Sequence, residues 1–322
     1  MKKSIKTLSL LLCILLICAL FSILFLISIV TANQSCNPQQ AINLSDYNKI
    51  YINNSLNSAL PIITNCYLSF LSNGLFSGNV FALYNQTISL GYSHFINDPE
   101  FALKISTIST NYIYNTTVTF NKFVNFSHAL SEKEDIRLFG ELFFVSSLTD
   151  TDTIVLLKGE KIHIDDKNNK IVHVKNETYT LDLIATSEST AFIKVTDSNG
   201  VSDTKEISEN NLEQINNLFI EVIAASETAS RSLALIVVVS DILILEDGSP
   251  VILGGDEKII NGTLVDFGKG NPNNISSITI STFSPQANKT LIRIGESFVD
   301  PFYGTFRLYF AGINTDPKTY AN

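Results

Sequence analysis

The stretch AFIKVTDSNGVSDTKEIS, residues Ala191–Ser208, decides the fold class of this 322-residue chain. Ile193 and Val195 fall on one face of an extended segment and polar residues fall on the other, which is the two-residue period of a strand. Residues 197–200, Asp-Ser-Asn-Gly, follow directly, and Asn-Gly suits the positive φ angles of a tight hairpin turn. The stretch therefore predicts an antiparallel β-hairpin.

Similar patterns lie on both sides of this hairpin. Residues 105–124 and 179–183 are rich in β-branched and aromatic residues and show no helical period. Residues 161–174 predict a second hairpin, with the polar loop DDKNNK at its tip and four apolar residues on one face: Ile162, Ile164, Val172 and Val174. Strand signals every 8–12 residues are typical of antiparallel sandwiches.

Residues 220–245, IEVIAASETASRSLALIVVVSDILIL, allow two interpretations. Residues 224–234 favour a helix by propensity, whereas the β-branched runs LIVVV and ILIL favour buried strands with a turn near SETAS. A second membrane-spanning helix is disfavoured, because charged residues interrupt the apolar window at Glu227, Arg231 and Asp241. We expect an all-β chain with two antiparallel, Ig-like β-sandwich domains, at residues 33–158 and 159–322.

The N-terminus predicts export. Lys2, Lys3 and Lys6 precede residues 7–32, which carry no charge. This apolar run is long for a signal peptide and long enough for a spanning helix, and Val30-Thr31-Ala32 supplies the small residues of a cleavage site. Residues 1–32 are therefore either a signal peptide or a membrane anchor. Both interpretations place the rest of the chain outside the membrane, on the cell surface or in the extracellular space.

The charge balance excludes some partners. Residues 1–32 hold three of the 22 basic residues and none of the 31 acidic ones, so the exported part has 19 against 31, a net charge of −12. Nucleic-acid binding needs clustered Lys and Arg, so we expect no nucleic-acid partner. An acidic surface suits solubility, and it also suits Ca²⁺ as an optional cofactor.

The cysteine content and the sequons agree with export. Cys36 and Cys66 lie beyond the apolar segment, and two cysteines in an oxidising compartment most simply form a disulfide, worth about 3 kcal/mol for a loop of about 30 residues. Lipid attachment at Cys36 is the alternative. Asn-X-Ser/Thr sequons predict N-glycosylation, at Asn43, Asn53, Asn85, Asn115, Asn125, Asn176, Asn261, Asn274 and Asn288.

No catalytic motif is present: the chain has no GxSxG, no HExxH and no phosphate-binding P-loop. His163 and His173 flank the loop of the second predicted hairpin and are candidate metal ligands, although no third ligand accompanies them. Acidic pairs that could bind a cation occur at Asp165-Asp166, Glu246-Asp247 and Asp256-Glu257, without the spacing of a calcium loop. We therefore expect no catalytic residues and no enzymatic activity.

Residues 294–312, IGESFVDPFYGTFRLYFAG, resemble the G-E-S-F-V-D-P-x-x-G-[ST]-F-[KR]-x-x-F-A-G pattern of archaeal S-layer-like surface proteins of methanogens and small-genome archaea. Three further segments are similar to parts of that family, so the resemblance covers roughly residues 130–312; these segments are residues 136–160, 179–207 and 260–285. Proteins of this kind are expected to continue with further β domains after the motif.

The resemblance implies an exported, glycosylated β-sandwich protein that associates with its own copies or with related surface-layer proteins. It implies no catalytic residue. Two other functions stay open: an adhesin or glycan-binding module, and a secreted hydrolase. In the terminal motif, Phe306, Leu308 and Phe310 are expected to face a core. The rival interpretation is an exposed aromatic strip that uses Tyr303 and Tyr309.

Overall fold

A computed structural model describes residues 37–97, 101–228, 230–271, 273–285 and 290–312. This part of the chain is all-β, with three single 3₁₀ turns at Leu44–Asp46, Leu56–Ser58 and Ser109–Asn111. The strands are β1 Ile62–Ile63, β2 Gly74–Ser77, β3 Phe81–Leu90, β4 His94–Ile96, β5 Ala102–Lys104, β6 Tyr114–Val124, β7 Asp135–Leu138, β8 Glu141–Val145, β9 Thr153–Asp165, β10 Lys170–Val174, β11 Glu177–Thr186, β12 Thr190–Thr196, β13 Ser202–Ser208, β14 Leu212–Ile215, β15 Leu218–Thr228, β16 Arg231–Glu246, β17 Ile252–Leu253, β18 Lys258–Ile259, β19 Thr263–Asn271, β20 Asn274–Thr282, β21 Leu291–Arg293, β22 Ser297–Val299 and β23 Arg307–Tyr309.

Two of the sequence predictions are decided by these strands. The hairpin in residues 191–208 is confirmed as β12 and β13, which pair antiparallel with Ile193 and Val195 buried. Residues 220–228 and 231–245 form strands rather than a helix, because β15 and β16 pair antiparallel along nearly their whole length. Tertiary pairing therefore overrides the helical propensity of the alanine-rich segment.

The second predicted hairpin, in residues 161–174, is wrong. β9 pairs with β16 and β8, whereas β10 pairs with β11 in a different sheet. The turn between β9 and β10 therefore carries the chain from one layer to the other. The four apolar residues do face one core, but from opposite sides, because β9 and β10 belong to different sheets. The long β-branched strand β16 is a better partner for β9 than the five-residue β10 is.

The eight-stranded sheet organises the molecule, and we call it the spine sheet. Its strand order is β14-β15-β16-β9-β8-β7, with β17 and β18 continuing beside the distal part of β16. A six-stranded sheet (β1-β3-β6-β20-β19, with β2 beside β3) and a four-stranded sheet (β10-β11-β12-β13) pack on it. The C-terminal residues add the β22–β23 hairpin and a small sheet in which β21 pairs with β5.

On one face of the spine sheet, strands β9 and β16 run through the two larger cores in succession, and a third, smaller cluster that includes Leu157 and Val237 lies on the other face. In β9, Ile154 and Leu156 belong to the first core, whereas Ile162 and Ile164 pack in the second. These residues share one strand face, so both cores lie on the same side of the spine sheet. The first core collects chain from both ends, between Leu56 and Phe310, and the second is continuous in sequence, from Ile162 to Val238.

This division differs from the domains expected from the sequence. The expected boundary between residues 158 and 159 lies inside β9, where Gly159 sits opposite Val239 beside a bulge in β16. The segment expected as residues 1–32, a signal peptide or anchor helix, lies outside the described residues. Within the part that the structure describes, no helix has the length and apolar character needed to cross a membrane.

Candidate functional site

The terminal motif folds around one buried carboxylate. Asp300 lies at the end of β22, and its Oδ1 accepts a 2.7 Å hydrogen bond from the Tyr114 hydroxyl on β6. Its Oδ2 accepts from the backbone N–H groups of Phe302, Tyr303 and Gly304, at 3.3, 2.6 and 3.1 Å. Gly304 has a φ of +71°, which a residue with a side chain rarely adopts. The Asp-Pro-x-x-Gly spacing therefore encodes a loop wrapped around an anchor.

The electrostatics of this anchor follow from its burial. Burial raises the pKa of the Asp300 carboxyl, and the hydrogen bonds from Tyr114 and the three N–H groups lower it in part. Burial, together with the neighbouring Asp300, raises the pKa of Tyr114 well above its ordinary value. Both carboxylate oxygens are engaged within the fold, so this pair holds the C-terminal hairpin on the six-stranded sheet.

The aromatic residues of the motif line the first core. Tyr303 is 5% exposed and stacks on Phe139, with ring centroids 4.7 Å apart. Phe306 stacks on Phe70 at 5.5 Å, and Phe310 packs on Phe95 at 5.0 Å. The expectation that Phe310 faces a core is confirmed, and Phe306 and Leu308 pack against the same core while partly buried. Tyr303, which the aromatic-strip interpretation needs on the surface, is buried.

A second buried acid was not predicted. Glu221 on β15 is 1% exposed. Its carboxylate accepts hydrogen bonds from the Ser146 hydroxyl (2.8 Å), the Ser147 hydroxyl (3.1 Å) and the Ser147 N–H (3.3 Å). Burial raises the pKa of Glu221, and the bonds from the serines oppose that rise. The signal in the sequence was a single acid inside an apolar strand, and its role is to fix the loop after β8 to the spine sheet.

Two neighbouring surface pockets, which we together call the groove, lie beside the bulge at Ser240 in β16. Its larger part, about 400 Å³, is lined by Lys175, Gln214, Phe219, Asp241, Gly254, Gly255 and Asp256 among others. Its smaller part, about 280 Å³, includes Phe143, Lys158 and the residues of the Asp300 loop. Both parts include Asp241 and Ile242, next to the bulge at Ser240 in β16. The groove presents carboxylates, lysines, an amide and an aromatic ring, a set suited to a polar ligand.

The predicted histidine site is not formed. His163 lies on β9 and His173 on β10, both are exposed, and they project from the outer faces of two different layers. The two histidines are separated because β9 and β10 do not pair with each other as the predicted hairpin required. Over the described ranges, which omit residues 1–36 and 313–322, no group of three or more His, Cys, Asp or Glu side chains is placed to hold a metal ion.

The three acidic pairs lie in turns. Asp165 accepts hydrogen bonds from the N–H groups of Lys167 and Asn168 and pairs with Arg231 at 3.1 Å. The bond from the Lys167 N–H is the main cause that lowers the pKa of Asp165. Asp247 pairs with Lys269 at 3.0 Å, and Asp256 lines the groove. Two of the pairs therefore stabilise turns.

The predicted covalent modifications are located as follows. Cys66 is disulfide-bonded, whereas Cys36 lies outside the described residues, so their pairing stays a prediction. Asn288 also lies outside them. The other sequons divide by exposure: Asn43, Asn53, Asn85, Asn176 and Asn261 are exposed, and Asn115, Asn125 and Asn274 are half-buried.

Comparison of the chain with protein-family models gives no match. Comparison with the curated proteins also gives none.

Proposed function

We propose that this chain is a structural protein of the cell envelope, similar to archaeal S-layer proteins. In this proposal it is exported behind a signal peptide or membrane anchor at residues 1–32, carries N-linked glycans on Ig-like β domains, and associates laterally with its own copies or with related proteins. It performs no catalysis. Ca²⁺ is an optional cofactor of the assembly.

The observation that supports the proposal is the burial of the one carboxylate around which the terminal motif folds. In the Asp-Pro-x-x-Gly element the Asp300 carboxylate is buried and accepts hydrogen bonds from the Tyr114 hydroxyl and from the N–H groups of its own loop. Glu221, the second buried acid, also holds a loop in place. A buried carboxylate that is hydrogen-bonded within the fold on both oxygens is typical of a rigid scaffold, whereas a hydrolase needs acids that face a substrate. The exposed sequons and the acidic surface suit a position outside the membrane.

The test combines location with assembly. Cells that express the full chain are treated with a membrane-impermeant amine-labelling reagent, and the protein is then extracted and sedimented at increasing concentration, with and without Ca²⁺. The proposal expects labelling on intact cells and growth of the sedimenting species with concentration. A protein that is labelled only after lysis, or that stays monomeric at high concentration in both buffers, would contradict it.

The groove favours one second candidate, a glycan-binding surface module. Sugars bind through hydrogen bonds to carboxylates and amides and through contact with rings, and Asp241, Gln214 and Phe219 supply these groups. A glycan array separates the two functions. Binding that is lost in Asp241→Ala and retained in Asp266→Ala, which changes an exposed acid of β19, would favour the adhesin.

A further inference from the structure

The four-stranded sheet has two open edges. Its strand order is β10-β11-β12-β13, and within the described residues no strand pairs with the outer side of β10 or of β13. Open edges present unpaired N–H and C=O groups and are templates for another strand. In β13 only Ile207 is buried, and in β10 Ile171 is 64% exposed. Both edges are therefore accessible to a partner.

We infer that the edge of β10 pairs antiparallel with the edge of β13 of a second copy of this chain, which extends the sheet from one molecule to the next. The inference rests on the proposed function, because it names the contact through which copies associate. It is β-augmentation, in which backbone hydrogen bonds supply affinity and side chains supply register.

Strand direction supports this contact. All neighbours in the sheet are antiparallel, and the sheet has four strands, so β10 and β13 run in opposite directions. A second copy that is shifted sideways without being turned over therefore brings its β13 antiparallel to β10. The spine sheet has the same alternation across β14, β15, β16 and β9. Such a head-to-tail contact repeats indefinitely, as a layer or filament requires.

Charge distinguishes this contact from a symmetric one. The β10 edge carries Lys170 and His173, with Lys175 in the next turn, and the β13 edge carries Asp203 and Glu206. Lys205, the cation of β13, is paired with Glu213 at 2.5 Å. If two β13 edges paired symmetrically about Glu206, the two carboxylates would face each other. Like charges opposite one another are destabilising, so β13 favours the more basic β10 edge.

Side-chain alternation fixes a register. Val172 and Ile207 point into the second core, so placing them opposite each other continues that core across the contact. The same register places His173 opposite Glu206 on the outer face. The outward backbone of β13 is identified by Thr204, whose N–H donates to the Asp203 carboxylate at 2.8 Å instead of to β12. In this register the Thr204 N–H lies opposite Lys175, directly after β10, and it is available to the end of the partner strand by exchange.

Thr204→Pro tests the edge. Proline removes this N–H and places its ring in the path of the partner, and an edge strand tolerates it because the N–H is not part of the β12–β13 ladder. Thr204→Val, which keeps the N–H, is the matched control. The full chains are extracted in mild detergent and compared by sedimentation velocity, and circular dichroism checks that each retains its strands.

We expect concentration-dependent growth in the parent chain and in Thr204→Val, and its loss in Thr204→Pro. Growth in Thr204→Pro equal to that of the parent would overturn the edge contact and leave the proposed function standing. A parent chain that never associates would instead contradict the proposed function itself, and the edge contact with it.

A cysteine pair keeps the inference testable if Thr204→Pro fails to fold. A mixture of His173→Cys and Glu206→Cys chains is expected to form a mixed disulfide dimer on mild oxidation, above the level that the parent chain gives. Neither variant alone is expected to exceed that level. Disulfide-linked homodimers in each single variant, with no mixed dimer in the mixture, would show a symmetric contact and overturn the head-to-tail pairing.

Discussion

The two cores on the spine sheet are built from different side chains. Ring pairs hold the first core together, including Phe139–Tyr303 and Phe70–Phe306. In the second core, Tyr179 is the one ring among the described buried residues, and aliphatic side chains fill the rest. The first core draws its residues from both ends of the chain, and the second comes from one continuous segment.

This difference has a physical reason. Contacts between distant parts of a chain carry a larger loop-closure cost, and a ring buries more area at each contact than an aliphatic side chain does. The second core is made from successive hairpins, whose ends are already close, so β-branched residues suffice. We therefore expect the second core to fold locally and the first to form only when the C-terminal hairpin arrives.

The largest effect is expected at Tyr303. Tyr303→Ala removes a buried ring from the closing hairpin of the first core and should lower the free energy of unfolding by about 3–5 kcal/mol. Tyr309→Ala, in the same hairpin but 53% exposed, is the matched control and should cost less than about 1 kcal/mol. Urea unfolding followed by circular dichroism measures both. Equal losses in the two variants would reject a buried role for Tyr303.

Ile193 probes the second core. Ile193→Ala should cost about 2–4 kcal/mol, because the residue is fully buried on β12. Its neighbour Phe192 points to the other face and is 40% exposed, so Phe192→Ala should cost much less. Hydrogen exchange should show the loss of protection in β10–β13 and leave β3 and β6 protected. Uniform loss of protection over both cores would contradict their separate cooperativity.

Gly159 tests the junction of the two cores. A Cβ at this position would lie 2.1 Å from the backbone oxygen of Val238, so the strands at the bulge must move apart. Gly159→Ala should cost roughly 1–3 kcal/mol. Gly200→Ala, in a turn with open space around it but a positive φ, is a control for backbone strain alone. Exchange protection should fall on both sides of Gly159, and a fall on one side only would contradict a shared spine.

The smallest effect, about 1.5 kcal/mol at neutral pH, is expected for Tyr114→Phe. The pKa of Asp300 is raised above its ordinary value of 3.8, so its ionised form is disfavoured in the fold and stability falls as pH rises through the folded pKa. The Tyr114 hydrogen bond limits that rise, so removing it raises the pKa further. The variant should lose more stability at pH 7 than at pH 4. A loss that is independent of pH would contradict an ionised Asp300 at neutral pH.

The sequence predicted local structure better than long-range pairing. The hairpin at residues 191–208 was predictable because its alternation and its Asn-Gly turn are both local signals. The pairing of β9 with β16 was not predictable, because paired residues such as Ile164 and Ala234 are far apart in the chain. The alternation of apolar residues in either strand would fit many β-branched partners. For the same reason, the domain boundary expected between residues 158 and 159 falls inside β9.

The roles of the buried acids show the same limit. Asp300 and Tyr114 are 186 residues apart in sequence, and nothing local to either predicts their hydrogen bond. The spacing from Asp300 to Gly304 is visible in the sequence, but the hydrogen bonds from the loop N–H groups to the Asp300 carboxylate are not. Glu221 sits in an apolar run, where an acid indicates a buried hydrogen-bonded carboxylate. Its partners, Ser146 and Ser147, become neighbours only when β15 and β8 meet in one sheet.

Electron microscopy of assemblies grown from the purified full-length protein is the most direct test of the structural role. We expect extended rows or sheets in which neighbouring particles repeat with one fixed spacing. A field of separate, monodisperse particles at every concentration and Ca²⁺ level tested would contradict it.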